Sequence, residues 1–167
     1  EAVGIRKASL YSHFASKQEI LDEIVNEGLK EYNERSIFAR TDRVATEFTP
    51  ESLTRMILGH IGFILHDPRV SRSRRMLTIE QFRNPELGRL FTKQNYTDVT
   101  HFFTEIIEKL IRDGKLNDGD HEIMAAQFCL PISAWIALCD REPERENEVM
   151  ALIERHIRQF FKVYDSP

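Results

Sequence analysis

The stretch from Ile123 to Cys139, IMAAQFCLPISAWIALC, restricts what this chain can fold into more than any other. Only Gln127, Pro131 and Ser133 interrupt it, so a helix formed here is apolar almost all round and has to be covered on both sides. The chain's own domain can cover one face. The other is covered either within the same protomer or by a second copy, and the sequence leaves both open. Pro131 removes one helical hydrogen bond and can kink the helix, which would help to shape a cavity.

Nearly every other segment also has helical period, and almost none has strand alternation. Ser16 followed by Glu19 is a capping box, and the helix it opens, Lys17 to Arg35, carries Ile20, Leu21, Ile24, Val25 and Leu29 on one stripe. Thr49 and Pro50 start a second helix through His66, where Asp67-Pro68 stops it. A third is expected from Pro68 to Phe82 or Arg83, and a fourth, opened by Asn84-Pro85, as one piece to Asp113-Gly114. Asn117 to Asp120 reads as a turn. Two more helices follow, about Asp120 to Arg141 and Glu144 to Tyr164, separated by Pro143. The expected fold is all-α.

Composition narrows the function classes. Of 167 residues, 41% are hydrophobic and 30% charged, which suits a folded soluble chain rather than a disordered tail. A net charge of -4 argues against nucleic-acid binding through bulk positive charge, yet Arg6, Lys7 and Lys17 against Glu1 focus basic character at the amino end. No apolar run approaches the roughly 20 residues of a membrane span, and no signal-peptide pattern precedes Ala2, so a cytoplasmic location without a membrane partner is expected. Cys129 and Cys139 would sit roughly 15 Å apart on one helix, too far to bridge. With no CxxC spacing they read as small buried residues, and neither metal nor cofactor is expected.

The segment GIRKASLYSHFASKQEIL, Gly4 to Leu21, is of a different kind. A short helix starting near Arg6 or Lys7 would place Leu10 and Phe14 on its buried side and Lys7, Ser9, Tyr11, Ser12 and His13 elsewhere. Two turns have little intrinsic stability in water, so the apolar pair has to dock while the polar groups are displayed. Helix-turn-helix proteins use this arrangement, with the second helix entering the major groove.

The run from Val3 to Leu21, with its LYSHF core, the following ASK and an acidic, apolar helix start, resembles the recognition element of the tetracycline-repressor (TetR) family of transcriptional regulators. The resemblance covers about the first fifth of the chain. It implies that Leu10 and Phe14 are core, that Lys7, Ser12 and His13 face bases, and that Ser9, Tyr11 and Lys17 bind phosphates, with Arg6 at a phosphate or the groove edge. Lys17, in the first turn of the next helix, would add its ammonium to free backbone N–H groups at one phosphate. The expected organisation is residues 1–40 as the carboxyl-terminal part of a truncated helix-turn-helix DNA-binding domain with its connecting helix, and 41–167 as a helical-bundle ligand-binding and dimerisation domain. The family's two preceding helices would lie before Glu1, so the chain is expected to be a piece whose beginning was not captured. The implied function is a ligand-responsive regulator, a repressor released by a small-molecule effector from palindromic double-stranded operator DNA at the bacterial nucleoid.

The remaining candidates follow from the helical pattern. His60 stands near Gly59 and Gly62, and two glycines inside a helix, each costing about 1 kcal/mol relative to alanine, need an offset: close packing, the stronger reading, or room for a ligand. The candidate ligand contacts are His60, Phe63, Phe82, Phe91, Gln94, Tyr96, His101, Phe102, Gln127 and Trp135. Ile123, Phe128, Ile132 and Ile136 with Ile153, Ile157, Phe160 and Phe161 are the candidate homodimer contacts, an isologous four-helix bundle that would set two recognition helices roughly 34 Å apart. Arg69, Arg72, Arg74, Arg75, Arg83, Arg89 and Lys93 form a basic stretch that is either a solvated face or a site for an anionic ligand or DNA. No Gly-rich phosphate loop, HExxH or nucleophile elbow occurs, so an enzyme is not expected; the alternative is a helical small-molecule-binding or adaptor module without DNA reading.

Overall fold

The structure, a computed structural model, describes residues 14–38 and 48–165. Helices α1 (Lys17–Arg35), α2 (Pro50–His66), α3 (Pro68–Glu80), α4 (Pro85–Thr92), α5 (Asp98–Arg112), α6 (His121–Arg141) and α7 (Glu146–Tyr164) carry the fold. Among the described residues no strand is present, and the chain is all-α as expected.

Side-chain caps set the boundaries. Ser16 Oγ accepts the Glu19 N–H at 3.1 Å, and the Glu19 carboxylate reaches past the cap to the Ala15 N–H. Thr49 and Ser52 form a reciprocal capping box at 3.1 and 2.9 Å. Asp67 ends α2 and caps α3, its Oδ1 accepting from Arg69 and Val70 at 3.0 and 3.1 Å. Asn84 does the same for Glu86 and Leu87 at 3.0 and 3.3 Å, and Pro50, Pro68 and Pro85 each stand in a first turn whose N–H groups have no helical partner. Gly114 takes φ 69° at the end of α5, a conformation that favours glycine.

The fourth predicted helix is not continuous. A π-turn, Lys93–Thr97, separates α4 from α5, with the Asp98 N–H bonded to the Lys93 carbonyl. Asn95 Nδ2 donates to the Phe91 carbonyl at 2.9 Å inside this wider turn. Such one-turn insertions re-aim the side chains they carry. By length and composition alone α6 could cross a membrane, which corrects the expectation that no apolar run approaches a span. In the fold it is a central bundle helix: Met124, Ala125, Phe128, Cys129, Ile132 and Cys139 are all buried, and both cysteines are free thiols.

The larger core joins α2, α5, α6 and α7 through residues such as Ile61, Phe103, Ile107, Phe128, Ile153 and Ile157. The smaller one joins α1, α3 and α4 through Val25, Leu77 and Leu87. Phe128, Ile132, Ile153, Ile157 and Phe160 therefore belong to the protomer's own core, because α6 and α7 turn their strongest stripes toward each other and toward α2 and α5. Of the eight candidate dimer contacts only Ile123, 54% exposed, and the partly buried Ile136 and Phe161 remain open to a partner.

The close packing expected at Gly59 and Gly62 is absent among the described residues: a Cβ on either would meet none of them within 4 Å. The close approach lies instead at Gly28 of α1, where a Cβ would stand 2.1 Å from Ser73 Cβ and 2.9 Å from the Arg69 carbonyl oxygen. Gly59→Ala and Gly62→Ala should each raise the unfolding free energy by about 0.5–1 kcal/mol in urea denaturation, as helix propensity dictates where nothing clashes. A loss at either site would show that a neighbour does occupy that space.

Candidate functional site

A cavity of about 90 Å³ lies where the two cores meet. Space for one water needs about 10–15 Å³ on this measure, so several waters or one compact organic molecule fit. Gly28, Leu29 and Tyr32 of α1 form one wall; Ile57, His60, Ile61 and Ile64 of α2 form another. Val70, Ser73 and Arg74 of α3, Gln94 and Asn95 of the π-turn, Val99 and Phe103 of α5, and Cys129, Ile132, Ser133 and Ile136 of α6 close it. Placing three α1 residues in this wall follows from spacing: positions 28, 29 and 32 share a face at i, i+1 and i+4.

Two polar groups define its chemistry. His60 sits among aromatic rings, its centroid 5.2 Å from Phe38, 6.0 Å from Tyr32 and 6.2 Å from Phe63. Burial pulls its pKa down to about 4, so the imidazole is neutral at physiological pH. Arg74 is held by Asp140 through both terminal nitrogens, Nη2 to Oδ1 at 2.6 Å, with the two side chains 13% and 15% exposed. His60 Nδ1 and Arg74 Nε are the buried side-chain atoms left without a hydrogen-bond partner among the described residues, and both residues line this cavity. An unsatisfied buried group of this kind costs about 1–3 kcal/mol. Burial, with Asp98 nearby, also holds the Tyr32 hydroxyl well above the ordinary tyrosine range, and burial raises the Cys129 thiol to about 12. Both stay protonated.

Of the predicted ligand contacts, His60 and Gln94 line the cavity. The others go elsewhere, for identifiable reasons. Phe63 lies under the Arg35 guanidinium at 4.5 Å; Phe102 fills the larger core; Phe91 packs on the smaller one. Phe82 is 90% exposed because α3 ends two residues before it, and the π-turn leaves Tyr96 exposed. His101 faces Glu105 at 3.5 Å, Gln127 accepts from the Tyr164 hydroxyl, and Trp135 stacks edge-on against His156 at 5.4 Å. Tyr32, Ser73, Arg74, Asn95 and Ser133 were not singled out as cavity residues by sequence. Arg74 was visible only as one member of a basic stretch.

That stretch is largely neutralised. Arg69 pairs with Glu31 at 3.3 Å, Arg75 reaches Asp140 at 3.8 Å, Arg83 faces Glu80 at 3.9 Å, and Lys93 bonds Asp98 at 2.7 Å. Among the described residues no group of three His, Cys, Asp or Glu side chains could hold a metal ion. Of the predicted DNA contacts, Lys17 is exposed in the first turn of α1; Arg6, Lys7, Ser9, Tyr11, Ser12 and His13 lie outside the described residues, as does Leu10. Phe14, the other half of the expected apolar pair, is half-buried.

Comparison with known proteins bears on the whole chain. Residues 51–166 match a TetR carboxyl-terminal domain family described as AefR-like transcriptional repressor, C-terminal domain. The nucleoid occlusion factor SlmA of Aliivibrio fischeri is 30% identical over 165 residues, covering 93% of this chain and 81% of that protein. The protein of the same name from Alteromonas mediterranea is 31% identical over 131 residues, 75% of this chain, and the chain spans 62% of that relative's length. No solved structure matches significantly.

The neutral His60 gives a pH signature. Its pKa is about 4 folded against 6.5 unperturbed, so between those values the unfolded chain binds a proton that the folded chain does not. Stability should fall by roughly 3 kcal/mol as pH drops through that window, with no contribution from this group to the slope above it. Urea denaturation across the window checks this: His60→Phe should flatten the slope, and an unchanged slope would assign it to other groups.

Proposed function

Because the chain belongs to the TetR family of transcriptional regulators, we propose that it is a homodimeric DNA-binding regulator, a repressor whose hold on a palindromic operator is released by a small molecule entering the cavity. One observation carries this reading: α1, the helix that follows the LYSHF segment directly, is itself a wall of the cavity through Gly28, Leu29 and Tyr32. A molecule in the cavity touches the helix to which the DNA-reading residues are attached. The relatives carry the name nucleoid occlusion factor, which supports a location at the nucleoid here.

The mechanics are those of a lever. At its carboxyl end α1 is fixed to the α2–α3 junction by Arg35 to Asp67 at 2.8 Å and by Glu31 to Arg69 at 3.3 Å. At Gly28 it crosses α3 at close range. From Glu31 back to Lys17 the helix is roughly 21 Å long, so a tilt of about 5° moves its amino end by about 2 Å. In a dimer both ends move, and the separation of the two reading segments changes against the fixed pitch of DNA. The ligand must prefer the released spacing, and operator DNA then weakens the ligand by the same factor. Residues 1–40 serve as the reading portion and 41–167 as the sensing and pairing portion. The pairing surface is proposed on the open stripe of α6 that includes Ile123, Leu130 and Ala134, with Phe161 of α7.

Sites selected by the full-length protein from random duplex DNA provide the test. His13→Ala should weaken the selected operator by about 1–3 kcal/mol while leaving random DNA unaffected, as loss of a base contact does. Lys17→Ala should weaken all duplexes alike and lower the salt slope by about 1. Equal effects on every sequence from His13→Ala would remove it from the reading set. Absence of any selected sequence would favour the adaptor alternative.

Gly28→Ala separates coupling from contact. The new Cβ cannot fit beside Ser73, so α1 should be forced off α3, with a loss of about 1–3 kcal/mol in stability and a drop in operator affinity without any effector. Adding Ser73→Gly should recover part of both. Wild-type operator affinity in Gly28→Ala would sever the link between this crossing and DNA.

A further inference from the structure

We infer that the cavity selects an uncharged, mainly apolar molecule bearing a hydrogen-bond acceptor oxygen, such as a compact ketone, ester or amide, which takes the free Nε–H of Arg74. The inference rests on the reading of this cavity as the effector site and names the class of effector. Three observations combine.

First, Arg74 is the lining residue that carries formal charge, and Asp140 already neutralises it through both terminal nitrogens. An anion would have to pull Arg74 from Asp140 and leave that carboxylate, 15% exposed, with only the distant Arg75 contact at 3.8 Å. A cation fares worse, since among the described residues no acidic side chain lines the cavity. Charged ligands of either sign are disfavoured.

Second, most other polar groups of the wall are already engaged. Ser73 Oγ donates to the Val25 carbonyl at 3.3 Å, Ser133 Oγ to the Cys129 carbonyl at 3.3 Å, and Asn95 Nδ2 to the Phe91 carbonyl at 2.9 Å. Of the fully buried atoms, Arg74 Nε, which can only donate, and His60 Nδ1, which donates or accepts according to tautomer, are left over; the Tyr32 hydroxyl and the Gln94 amide in the same wall each donate or accept. The ligand therefore has to supply an acceptor at Arg74, and a second polar group at His60 is optional. Third, the rest of the wall is aliphatic and aromatic, and the 90 Å³ space limits an occupant that leaves the helices in place to a compact molecule.

Four probes of nearly equal size and different polarity discriminate: cyclohexanone, methylcyclohexane, cyclohexanecarboxylate and cyclohexylammonium, titrated into the 15N-labelled 167-residue chain and followed by backbone and arginine Nε–H resonances. Cyclohexanone should bind about tenfold more tightly than either ion and should shift the Arg74 Nε–H signal downfield. In Arg74→Lys, which keeps a positive charge opposite Asp140 but has no Nε–H, ketone affinity should fall about fivefold while methylcyclohexane is unaffected. If that variant does not fold, the wild-type Nε–H shift still decides the point. Carboxylate binding as tight as the ketone's, with shifts at cavity residues, would overturn the neutral class and leave the effector cavity standing. Failure of all four probes to shift any cavity residue would overturn the cavity reading and this inference together.

Discussion

The crossing of α1 over α3 at Gly28 and Ser73 is the contact on which the rest depends. It is close enough to exclude any β-carbon at position 28, and Ser73 Oγ reaches the Val25 carbonyl across it at 3.3 Å. The stretch of α1 from Lys17 to Glu27 lies amino-terminal of that point. Beyond it, Glu31, Arg35, Asp67 and Arg69 tie the other end of the helix to the α2–α3 corner. The basic partners of these pairs are half exposed or more, and each alone would contribute little. Their value lies in sharing members: Asp67 caps α3 and pairs with Arg35, and Glu31 bonds both Arg35 and Arg69, which holds its carboxyl below the ordinary glutamate range. With its carboxyl end tied down, the motion the proposed mechanism asks of α1 is a tilt about that end, which the Gly28 crossing has to accommodate.

Placing a cavity beside that crossing gives the motion something to sense. The two hydrophobic cores are separate clusters, and the space between them is lined from both sides. Filling it would add apolar contacts, at about 25 cal/mol per Å² buried, and would satisfy polar atoms that the empty state leaves unpaired. Arg74 does two jobs here. Its terminal nitrogens lock α3 to α6 through Asp140, and its remaining N–H is held in the cavity wall by that same lock. One side chain thus belongs both to the cavity wall and to the contact that sets α3 against α6.

Helix order and ends were legible in the sequence because they are local: Ser16, Thr49, Asn84 and the prolines that follow two of them act within one turn of chain, and the structure places helix starts beside all three. The π-turn was not legible, since one inserted residue changes no periodic pattern long enough to notice. Tertiary contacts were harder. Gly59 and Gly62 drew attention by their number, whereas nothing in the local pattern marks Gly28, where the close helix crossing lies. Aromatic side chains gave a poor guide to the cavity because the described helices have many faces to fill, and Phe102 went to the core. Arg74 illustrates the limit: its importance comes from Asp140, 66 residues away, and no local pattern links them.

The central claim is that occupancy of the cavity tilts α1 about its tied carboxyl end and shifts its crossing with α3. Ser133→Phe places a permanent occupant in the cavity from the α6 side. Gln18→Cys adds one exposed label site near the amino end of α1, and the native Cys129 and Cys139 are buried and should not react. Pulsed electron–electron spin resonance on the labelled dimer, with and without Ser133→Phe, then reads the separation of the two α1 ends. The account predicts a shift of several ångströms in the distance distribution of the filled protein. An identical distribution in a folded Ser133→Phe dimer would contradict it.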